Sequence, residues 1–314
     1  MSSDLGTSLE TDDRGGEGVA RRLAEAWYRR ATVRTGFESA HWLEPYDLSM
    51  PDYPMSLLPF SDDPRFADAE PSKKQQVLTM AWLVYNERVI AAEEQVAVPT
   101  FAELTSGNAA SVLGFQMQRA LQQSYLDEVW HTYLHTMAMQ RTRQHRKLFD
   151  QPTFPSTVTL RRLKQALAET GAEWQRRLLR LAWTTVAEVS VNAYLSLLSE
   201  DKTIQPLHSL VPRLHARDES AHSSIMIEAC KAVCFDMTKS ERGFFVEKLP
   251  LATTAFTVHD FAVWPIILRH AGIADASDIV EDCSRRAQGH SLVRDFSGMR
   301  RLARELDIDL SLNA

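Results

Sequence analysis

The sequence has little glycine and little cysteine, and both shortages narrow the possible folds. It contains 12 glycines in 314 residues, which is few for an all-β or a doubly wound α/β protein, because both use glycine at their many turns. The 3 cysteines lack any CxxC spacing and are odd in number, which argues against a disulfide framework and against a thiolate zinc site. These shortages favour helices and a reducing, cytoplasmic location.

Long apolar runs and one-sided charge are also missing. No segment approaches about 18 uninterrupted apolar residues, and the acidic N-terminus lacks the apolar stretch of a signal peptide. The formal net charge is -6, and positive and negative residues are mixed along the chain, so the pattern indicates neither a nucleic-acid nor a membrane partner. We therefore expect a small-molecule partner.

Helical periodicity extends through most of the chain, and no segment shows convincing strand alternation. Residues 1–18 are predicted to be a disordered acidic tail, and residues 19–314 a single domain, because no linker-like composition divides them. The prolines between residues 36 and 66 predict a long ordered loop. The remaining residues predict an all-α fold whose long helices favour a bundle.

Several predicted helices have recognisable ends. Thr238 and Glu241 have the spacing of a capping box. Thr257 is predicted to cap the following helix, which Pro265 bends and Gly272 closes. The predicted helices cover residues 18–35, 72–98, 107–147, 158–169, 172–198, 206–234, a segment opened by the capping box, 257–272 and 292–306.

The segment LHARDESAH places three side chains that can bind metals on one face of a helix. His215, Glu219 and His222 follow one another at i, i+4 and i+7, and these positions share a face because a helix turns about 100° per residue. A second Glu-x-x-His pair, Glu128 and His131, lies in a segment that is apolar or aromatic nearly all round, as on a buried helix. Both helices are therefore candidates for a metal site.

A single Glu-x-x-His pair carries little information, because about one is expected by chance in this composition. Three occur here. The pair in Glu38–His41 has no further ligand in helical register, and we interpret it as a chance match in a surface loop. The other two pairs belong to a repeat: Glu93 precedes Glu128 by 35 residues, and Glu188 precedes Glu219 by 31.

This repeat is the ligand pattern of a carboxylate-bridged dimetal site, in which two helices of a four-helix bundle supply one Glu each and the other two supply Glu-x-x-His. Glu188 lies in the apolar segment LAWTTVAEVSVNAYLSLL, where a lone carboxylate is costly to bury unless a cation or a partner balances it. Mainly oxygen ligands with a few imidazoles suit iron or manganese. The alternative is a set of core histidines and helix-surface glutamates. The predicted metal ligands are Glu93, Glu128, His131, Glu188, His215, Glu219 and His222.

Some neighbours of these residues are assigned supporting positions. Glu94 points about 100° away from Glu93, so only one of the two faces the metals, and we choose Glu93. His135 is expected in the core or beside a ligand. Asp127 and Asp218 each precede a ligand Glu and are candidates for hydrogen bonds to ligand histidines.

The ligand set and its spacing resemble the aminobenzoate N-oxygenases, a family of ferritin-like di-iron enzymes with relatives that act on the arylamine precursor of chloramphenicol. The distinguishing residue is His215, because most ferritin-like di-iron proteins carry only the two Glu-x-x-His histidines. The resemblance extends from about Tyr85 to Arg294. It implies a ferritin-like four-helix core with additional N- and C-terminal helices, two iron ions, and dioxygen as co-substrate. It also implies an external electron donor and conversion of a small arylamine through the hydroxylamine to the nitroarene.

The same resemblance implies substrate-binding residues. Arg294 resembles the arginine that anchors the substrate carboxylate, which would make the substrate an aromatic acid such as 4-aminobenzoate; by itself it is an ordinary surface arginine. Tyr85 resembles another pocket residue. Asn192 and Leu195 follow Glu188 by four and seven residues and so share its helix face. Core packing and capping are the alternative roles for these residues.

Two alternatives to arylamine N-oxygenation are kept open. The first is a di-iron oxygenase that stops at the hydroxylamine, nitroso or azoxy stage, or that hydroxylates a carbon of a carrier-bound acid. The second is a ferroxidase or iron-handling protein, which is disfavoured because a ferritin subunit is shorter and lacks the proline-rich loop and the helices after Cys234. The expected partners are the arylamine, an electron-donor protein or reductant, and a second copy of the chain in a homodimer.

Overall fold

A computed structural model of the chain describes residues 16–35, 45–106, 112–148, 150–287 and 291–310. Within these ranges the regular structure is helical, with no strand, which confirms the predicted all-α class. The helices are α1 (Glu17–Arg30), α2 (Thr32–Thr35), α3 (Pro64–Ala67), α4 (Pro71–Ala92), α5 (Val98–Leu104), α6 (Phe115–Arg146), α7 (Val158–Ala168), α8 (Glu173–Ser199), α9 (Pro206–Asp236), α10 (Lys239–Thr257), α11 (Trp264–His270), α12 (Ala276–Arg286) and α13 (Ser297–Leu306). A 3-10 turn covers Met55–Leu57, and a π-helical turn, Glu93–Ala97, joins α4 to α5.

Four long helical segments form the core, as expected for a ferritin-like bundle: α4 with its continuation into α5, and then α6, α8 and α9. Helix α1 packs on α6 and α9, α10 packs on α8, and α13 packs on α8 and α9. At the last of these contacts a Cβ added to Gly298 would lie 1.7 Å from the carbonyl oxygen of Val189. Glycine therefore permits α13 to approach the backbone of α8 closely.

The bundle contains two apolar cores, and the polar layer that carries the predicted ligands lies between them. Leu121 on α6 and Ile225 on α9 belong to the first core. Leu134 on α6 and Val211 on α9 belong to the second. The predicted ligands of both helices lie between these positions. Apolar packing therefore separates the polar layer from water at both ends of the bundle.

The predicted end of a helix at Pro99 is wrong, because the helix continues through the proline. The backbone N–H of Val98 donates to the carbonyl of Glu93 five residues earlier, and Pro99 then occupies the first turn of α5, where its missing N–H costs no helical hydrogen bond. Wider π-helical turns of this kind occur often at functional sites.

Other helix boundaries also differ from prediction. Thr257 is the last residue of α10 instead of a cap, and Pro265 lies in the first turn of α11, so it begins that helix instead of bending it. The capping box of Thr238 and Glu241 is confirmed, and Gly272 follows α11 with φ of 67°. Helix α12 was not predicted. Helix α6 begins at residue 115 and α13 at residue 297, later than predicted, and residues 107–111 lie outside the described ranges.

The proline-rich segment is described from residue 45 onward, and its buried anchor is Asp52. The Asp52 carboxylate accepts a hydrogen bond of 2.8 Å from Nε of Arg146 on α6, and its backbone carbonyl lies 2.8 Å from Nδ1 of His208 on α9. The predicted tail through residue 15 and the Glu38–His41 pair lie outside the described residues, while α1 begins at Glu17, inside the predicted tail. None of the described helices has the length and apolar content to cross a membrane.

Candidate metal centre

The fold brings all seven predicted ligands into two adjoining groups. Within each group the candidate ligand atoms lie within 4.8 Å of one another, and every side chain is buried. The π-helical turn after α4 and helices α6, α8 and α9 each contribute, and Glu128 belongs to both groups. The first group is Glu93, Glu128, His131 and His215, and the second is Glu128, Glu188, Glu219 and His222.

Glu128 and Glu219 lie at the centre of the layer. The Oε2 atom of Glu128 lies 3.1 Å from Nδ1 of His131, and its Oε1 atom lies 2.8 Å from Nδ1 of His222. The Oε1 atom of Glu219 lies 3.3 Å from Nδ1 of His131, 3.2 Å from Nε2 of His215 and 3.0 Å from Nδ1 of His222. Each central carboxylate thus contacts histidines of both groups.

Several ligand atoms in this layer have no hydrogen-bond partner, although they are buried. They are Oε1 of Glu128, Oε2 of Glu188, Nε2 of His215 and Oε2 of Glu219; Oε1 of Glu128 is close to His222 but outside hydrogen-bond geometry. An unsatisfied buried polar atom is costly and calls for an explanation. Two bound cations would satisfy all four atoms, so the donor set fits a dimetal centre.

Two aspartates hold the ligand histidines in a crossed arrangement. Nε2 of His131 on α6 lies 3.3 Å from Oδ2 of Asp218 on α9, and Nε2 of His222 on α9 lies 3.1 Å from Oδ2 of Asp127 on α6. Each imidazole then presents Nδ1 to the carboxylate layer. The predicted hydrogen bonds from Asp127 and Asp218 are confirmed, and each aspartate reaches the histidine of the opposite helix. Such outer partners orient metal-bound histidines and make them more basic.

Helices α1 and α2 complete the environment of the aspartates. The indole Nε1 of Trp27 donates to both carboxylate oxygens of Asp127, at 2.8 and 3.0 Å. At Ala31 the chain becomes extended, and the backbone N–H of Thr32 donates to Asp218 at 3.0 and 3.2 Å. The break between the two helices therefore frees an N–H group for the carboxylate.

His215 is oriented by a separate chain of hydrogen bonds. The side-chain amide nitrogen of Asn86 donates to the carbonyl of Trp82 at 2.6 Å, which leaves its oxygen to accept from Nδ1 of His135 at 2.7 Å. Burial and the charges of His215 and His131 lower the pKa of His135 well below its ordinary value. A neutral His135 that donates through Nδ1 must accept at Nε2, which lies 3.0 Å from Nδ1 of His215. His215 therefore donates through Nδ1, and its Nε2 atom is the nitrogen that faces the carboxylates.

Several groups in this layer have raised pKa values. Burial raises the pKa of Glu128 well above its ordinary value, and the charges of Glu219 and Glu93 raise it further. Burial and the charges of Glu128 and Glu219 have the same effect on Glu188. Burial would lower the pKa of His222, but the charges of Glu219 and Glu128 hold it well above its ordinary value. The four buried carboxylates of the layer therefore need protons or cations to balance their charge.

The structure places Glu93 in the buried cluster and Glu94 outside it. Glu93 is buried and Glu94 is exposed. The Glu93 Oε1 atom lies 3.4 Å from Nε2 of His215. Glu93 is the first residue of the π-helical turn, so the helix widens at the residue whose side chain reaches the layer of predicted ligands. His135 contacts His215 and not the carboxylates, in agreement with its predicted position beside a ligand.

Two adjoining cavities lead from the surface toward this layer. The inner cavity is lined by the predicted ligands Glu93 and Glu188 together with apolar side chains such as Val89, Val191 and Phe256. The outer cavity is lined by Tyr85, Tyr53, His259 and residues of the loop after α6. Arg88 and Tyr194 line both cavities. A flat molecule that reaches the metal layer would pass the Arg88 guanidinium.

Arg88 is the main functional candidate that sequence reasoning missed. It is 9% exposed, and its guanidinium donates to the carbonyls of Phe256 at 2.6 Å and Val258 at 3.3 Å and lies 5.1 Å from the ring centroid of Tyr194. No ion pair among the described residues joins it to a carboxylate. The available signal was an arginine, next to Glu87, in the second half of α4, where most residues are apolar.

The four predicted substrate-binding residues lie in different environments. Tyr85 lines the outer cavity, and its buried hydroxyl has no hydrogen-bond partner. Arg294 is exposed, directly after Val293, which lines the inner cavity. Asn192 and Leu195 line neither cavity, and Leu195 is fully buried in an apolar core. Besides Glu188, the cavity residues of α8 are Ala187, Ser190, Val191 and Tyr194, so the cavity meets α8 on a different side from Asn192 and Leu195.

Comparisons with known proteins agree with the geometry. The profile of a family described as p-aminobenzoate N-oxygenase AurF matches residues 13–307. A curated relative, the 4-aminobenzoate N-oxygenase of Streptomyces thioluteus, is 41% identical over 294 residues, which cover 94% of this chain and 88% of the relative. The match includes every helix that contributes to the candidate metal centre.

Proposed function

The chain belongs to the p-aminobenzoate N-oxygenase AurF family, and we propose that it uses two iron ions and dioxygen to oxidise the amino group of a small aromatic acid, with 4-aminobenzoate as the first candidate. The observation that carries the proposal is the pair of ligand groups that share Glu128 beneath a cavity lined by Arg88. Family membership favours nitrogen oxidation over carbon hydroxylation and over iron storage.

The seven clustered residues would hold the two ions. Carboxylate-rich sites with a few imidazoles suit iron and manganese, and four carboxylates offset the charge of two divalent ions. When bound, the ions activate dioxygen for transfer to nitrogen. The apolar layers on either side exclude water, which strengthens every electrostatic interaction in the site.

The reaction balance specifies what the protein must receive. One arylamine, two dioxygen molecules, two electrons and two protons yield one nitroarene and two water molecules. The first oxygenation, to the hydroxylamine, uses both electrons and both protons; the second uses the electrons of the hydroxylamine itself. An external electron donor therefore has to supply two electrons for each molecule of substrate.

Arg88 is proposed to bind the substrate carboxylate. It is a nearly buried cation that bonds only neutral carbonyls among the described residues, so a carboxylate would supply its missing negative partner. The unpartnered hydroxyl of Tyr85 in the adjoining outer cavity is a second candidate donor. A carboxylate held at Arg88 would place the aromatic ring among Val89, Val191 and Phe256, with the amine directed toward Glu93 and Glu188.

The remaining predicted substrate residues stay proposals. Arg294 follows Leu292 and Val293, which line the outer and inner cavities, and this adjacency supports a contact with bound substrate. Asn192 and Leu195 would act through the packing of α8, since Val191 and Tyr194 are the residues that reach the cavities.

Homodimerisation and a cytoplasmic location are also proposed. Helix α6 exposes an apolar stripe, with Leu126 and Val129 each 53% exposed and Tyr133 46% exposed, on the side opposite its ligands. A contiguous exposed apolar surface is typical of a subunit interface. The buried cysteines Cys230, Cys234 and Cys283 are all free thiols, which agrees with a reducing compartment.

A direct test is product analysis after reconstitution. The protein is loaded with ferrous iron, reduced, and exposed to isotopically labelled dioxygen with 4-aminobenzoate; we expect 4-nitrobenzoate with two labelled oxygen atoms. Glu188→Ala should bind less metal and form no product. Oxidation that stops at the hydroxylamine, or labelled ring hydroxylation, would contradict the proposed reaction.

A further inference from the structure

The proposed reaction consumes two electrons for each substrate, and the substrate cavity is poorly placed to receive them from a protein. The inner cavity is lined by residues that include members of α4, α8 and α10. The bound substrate would fill it. A different path begins on the opposite side of the ligand layer, where α1 covers the groove between α6 and α9.

This path is a short chain of hydrogen bonds. Trp27, which is partly exposed, donates through its indole nitrogen to Asp127 at 2.8 Å. Asp127 in turn lies 3.1 Å from Nε2 of His222, whose Nδ1 faces the carboxylate layer. Two hydrogen bonds therefore connect an aromatic ring at the surface to a predicted metal ligand. Electrons tunnel more readily along such bonded paths than across an equal gap.

The surface around Trp27 is positively charged. A cavity of about 150 Å³ opens beside the indole, and both arginines in its lining, Arg30 and Arg217, are exposed. The guanidinium carbon of Arg34 lies 5.9 Å from the centroid of the Trp27 ring. The acidic residues that line the cavity are Asp127 and Asp218, both buried beneath it and both occupied by histidine bonds. We call Trp27, Arg30, Arg34 and Arg217 the α1 face.

The α1 face and the substrate cavity share no lining residue. An electron donor could therefore bind at one while the arylamine occupies the other. The α1 face also lies apart from the proposed dimer stripe, because Asp127 and Leu126 point to different sides of α6. A positive surface with an aromatic ring at its centre is complementary to an acidic partner and would speed their association by about 10–1,000-fold at low ionic strength.

We propose that the α1 face is the docking surface for an acidic one-electron carrier protein of the iron–sulfur or flavin class, and that electrons pass through Trp27, Asp127 and His222. Two reduced carriers each lose one electron and become oxidised, and together they supply the two electrons of the reaction balance. No bond of the chain is made or broken. This inference rests on the proposed function.

The test separates docking from electron transfer. Docking is measured as the Kd of an oxidised acidic [2Fe–2S] ferredoxin for the iron-loaded protein, and electron transfer as the rate at which the reduced ferredoxin reduces it. Arg30→Glu combined with Arg34→Glu should raise the Kd and lower the second-order rate by about tenfold or more at low salt, and about 0.5 M salt should remove most of the difference. Lys164→Glu combined with Lys239→Glu, two exposed charges elsewhere, should change neither quantity.

Trp27→Phe tests the path itself. It keeps an aromatic ring and the surface charge but removes the N–H bond to Asp127, so the Kd should stay within about twofold while the reduction rate falls. Reduction by dithionite with a neutral mediator should be normal in the charge variant and in Trp27→Phe, and all reduction rates are compared per bound iron.

Three results would overturn the inference: charge reversal without effect on ferredoxin, Trp27→Phe with an unchanged reduction rate, or charge reversal that splits a dimer and leaves ferredoxin reduction intact. The last would make the α1 face a subunit contact. Oxidation of 4-aminobenzoate after chemical reduction tests the proposed function separately, so the two failures are distinguishable.

Discussion

The Nε2 atom of His135 lies 3.0 Å from Nδ1 of His215, and this contact fixes which nitrogen of His215 faces the metal layer. The chain of bonds from the Trp82 carbonyl through Asn86 makes His135 an acceptor at Nε2, so His215 must donate through Nδ1. The orientation of His215, the third predicted ligand histidine, therefore depends on His135, which is not in the predicted ligand set.

Replacing His135 should weaken the site while preserving the fold. His135→Phe removes the acceptor for His215, and loss of such a partner typically costs about 10–100-fold in metal affinity. His135→Gln can accept through its amide oxygen and should recover part of the affinity. The measurements are ferrous-ion titration and the Tm of the metal-free proteins. Equal losses in both variants would indicate packing instead of hydrogen bonding.

Metal binding should release protons and become tighter as pH rises. The pKa values of Glu128, Glu188 and His222 are raised, so these groups keep their protons to higher pH than usual, and incoming cations must displace those protons. Calorimetry in two buffers of different ionisation enthalpy measures the release directly. Glu188→Gln, which cannot ionise, should release fewer protons. Binding with no proton release in the unmodified protein would contradict the raised pKa values.

The two candidate carboxylate anchors predict different kinetics. If Arg88 binds the carboxylate, Arg88→Ala should raise KM for 4-aminobenzoate by about 10–100-fold, the value of a charge-assisted hydrogen bond, with little change for aniline. Arg294→Ala is the matched control. If Arg294 binds the carboxylate instead, as the family resemblance implies, Arg294→Ala should raise KM for 4-aminobenzoate selectively and Arg88→Ala should not. Steady-state kinetics with both substrates decide. An equal change for both substrates would indicate a structural role for the arginine.

His208 should make the metal-free protein less stable in mild acid. It stacks on Trp82 with ring centroids 3.9 Å apart, and burial is the main reason that its pKa falls to about 4. The unfolded chain, with an ordinary histidine pKa, binds more protons between about pH 6.5 and 4, so the free energy of unfolding decreases as pH falls through this window, by up to about 3 kcal/mol.

His208→Gln provides the control for that prediction. The variant is expected to be less stable at pH 7, because Thr142 and the carbonyl of Asp52 lose part of their bonding, but its stability should change less between pH 6.5 and 4. Denaturant unfolding at several pH values measures how the free energy of unfolding changes with pH in each protein. If both proteins lose the same stability between pH 6.5 and 4, groups other than His208 cause the pH dependence.

The apolar stripe of α6 should mediate dimerisation. Val129→Lys combined with Tyr133→Lys would bury charge in the proposed interface, so the protein should become monomeric at concentrations where the unmodified chain is a dimer. Light scattering after size exclusion measures the mass. Leu251→Lys, at an exposed apolar position on α10, is the control. A dimer that persists in the double variant would place the interface elsewhere.

The helical register of the ligands could be read from sequence because it is a local property. Positions i, i+3, i+4 and i+7 share a helix face wherever the helix lies, so His215, Glu219 and His222 could be grouped before any packing was known. The position of the substrate cavity could not. Asn192 and Leu195 share the face of Glu188, yet the cavity meets α8 at Val191 and Tyr194, because neighbouring helices determine the direction from which a ligand approaches.

By itself, the sequence determined the all-α class and the seven side chains that meet in one buried layer, since periodicity, spacing and the cost of a lone buried carboxylate are all local. Only the tertiary structure decided the partners of those side chains. Asp127 bonds a histidine 95 residues away, and His135 bonds one 80 residues away. Such contacts depend on how helices are rotated and stacked against one another, and no local pattern encodes that arrangement.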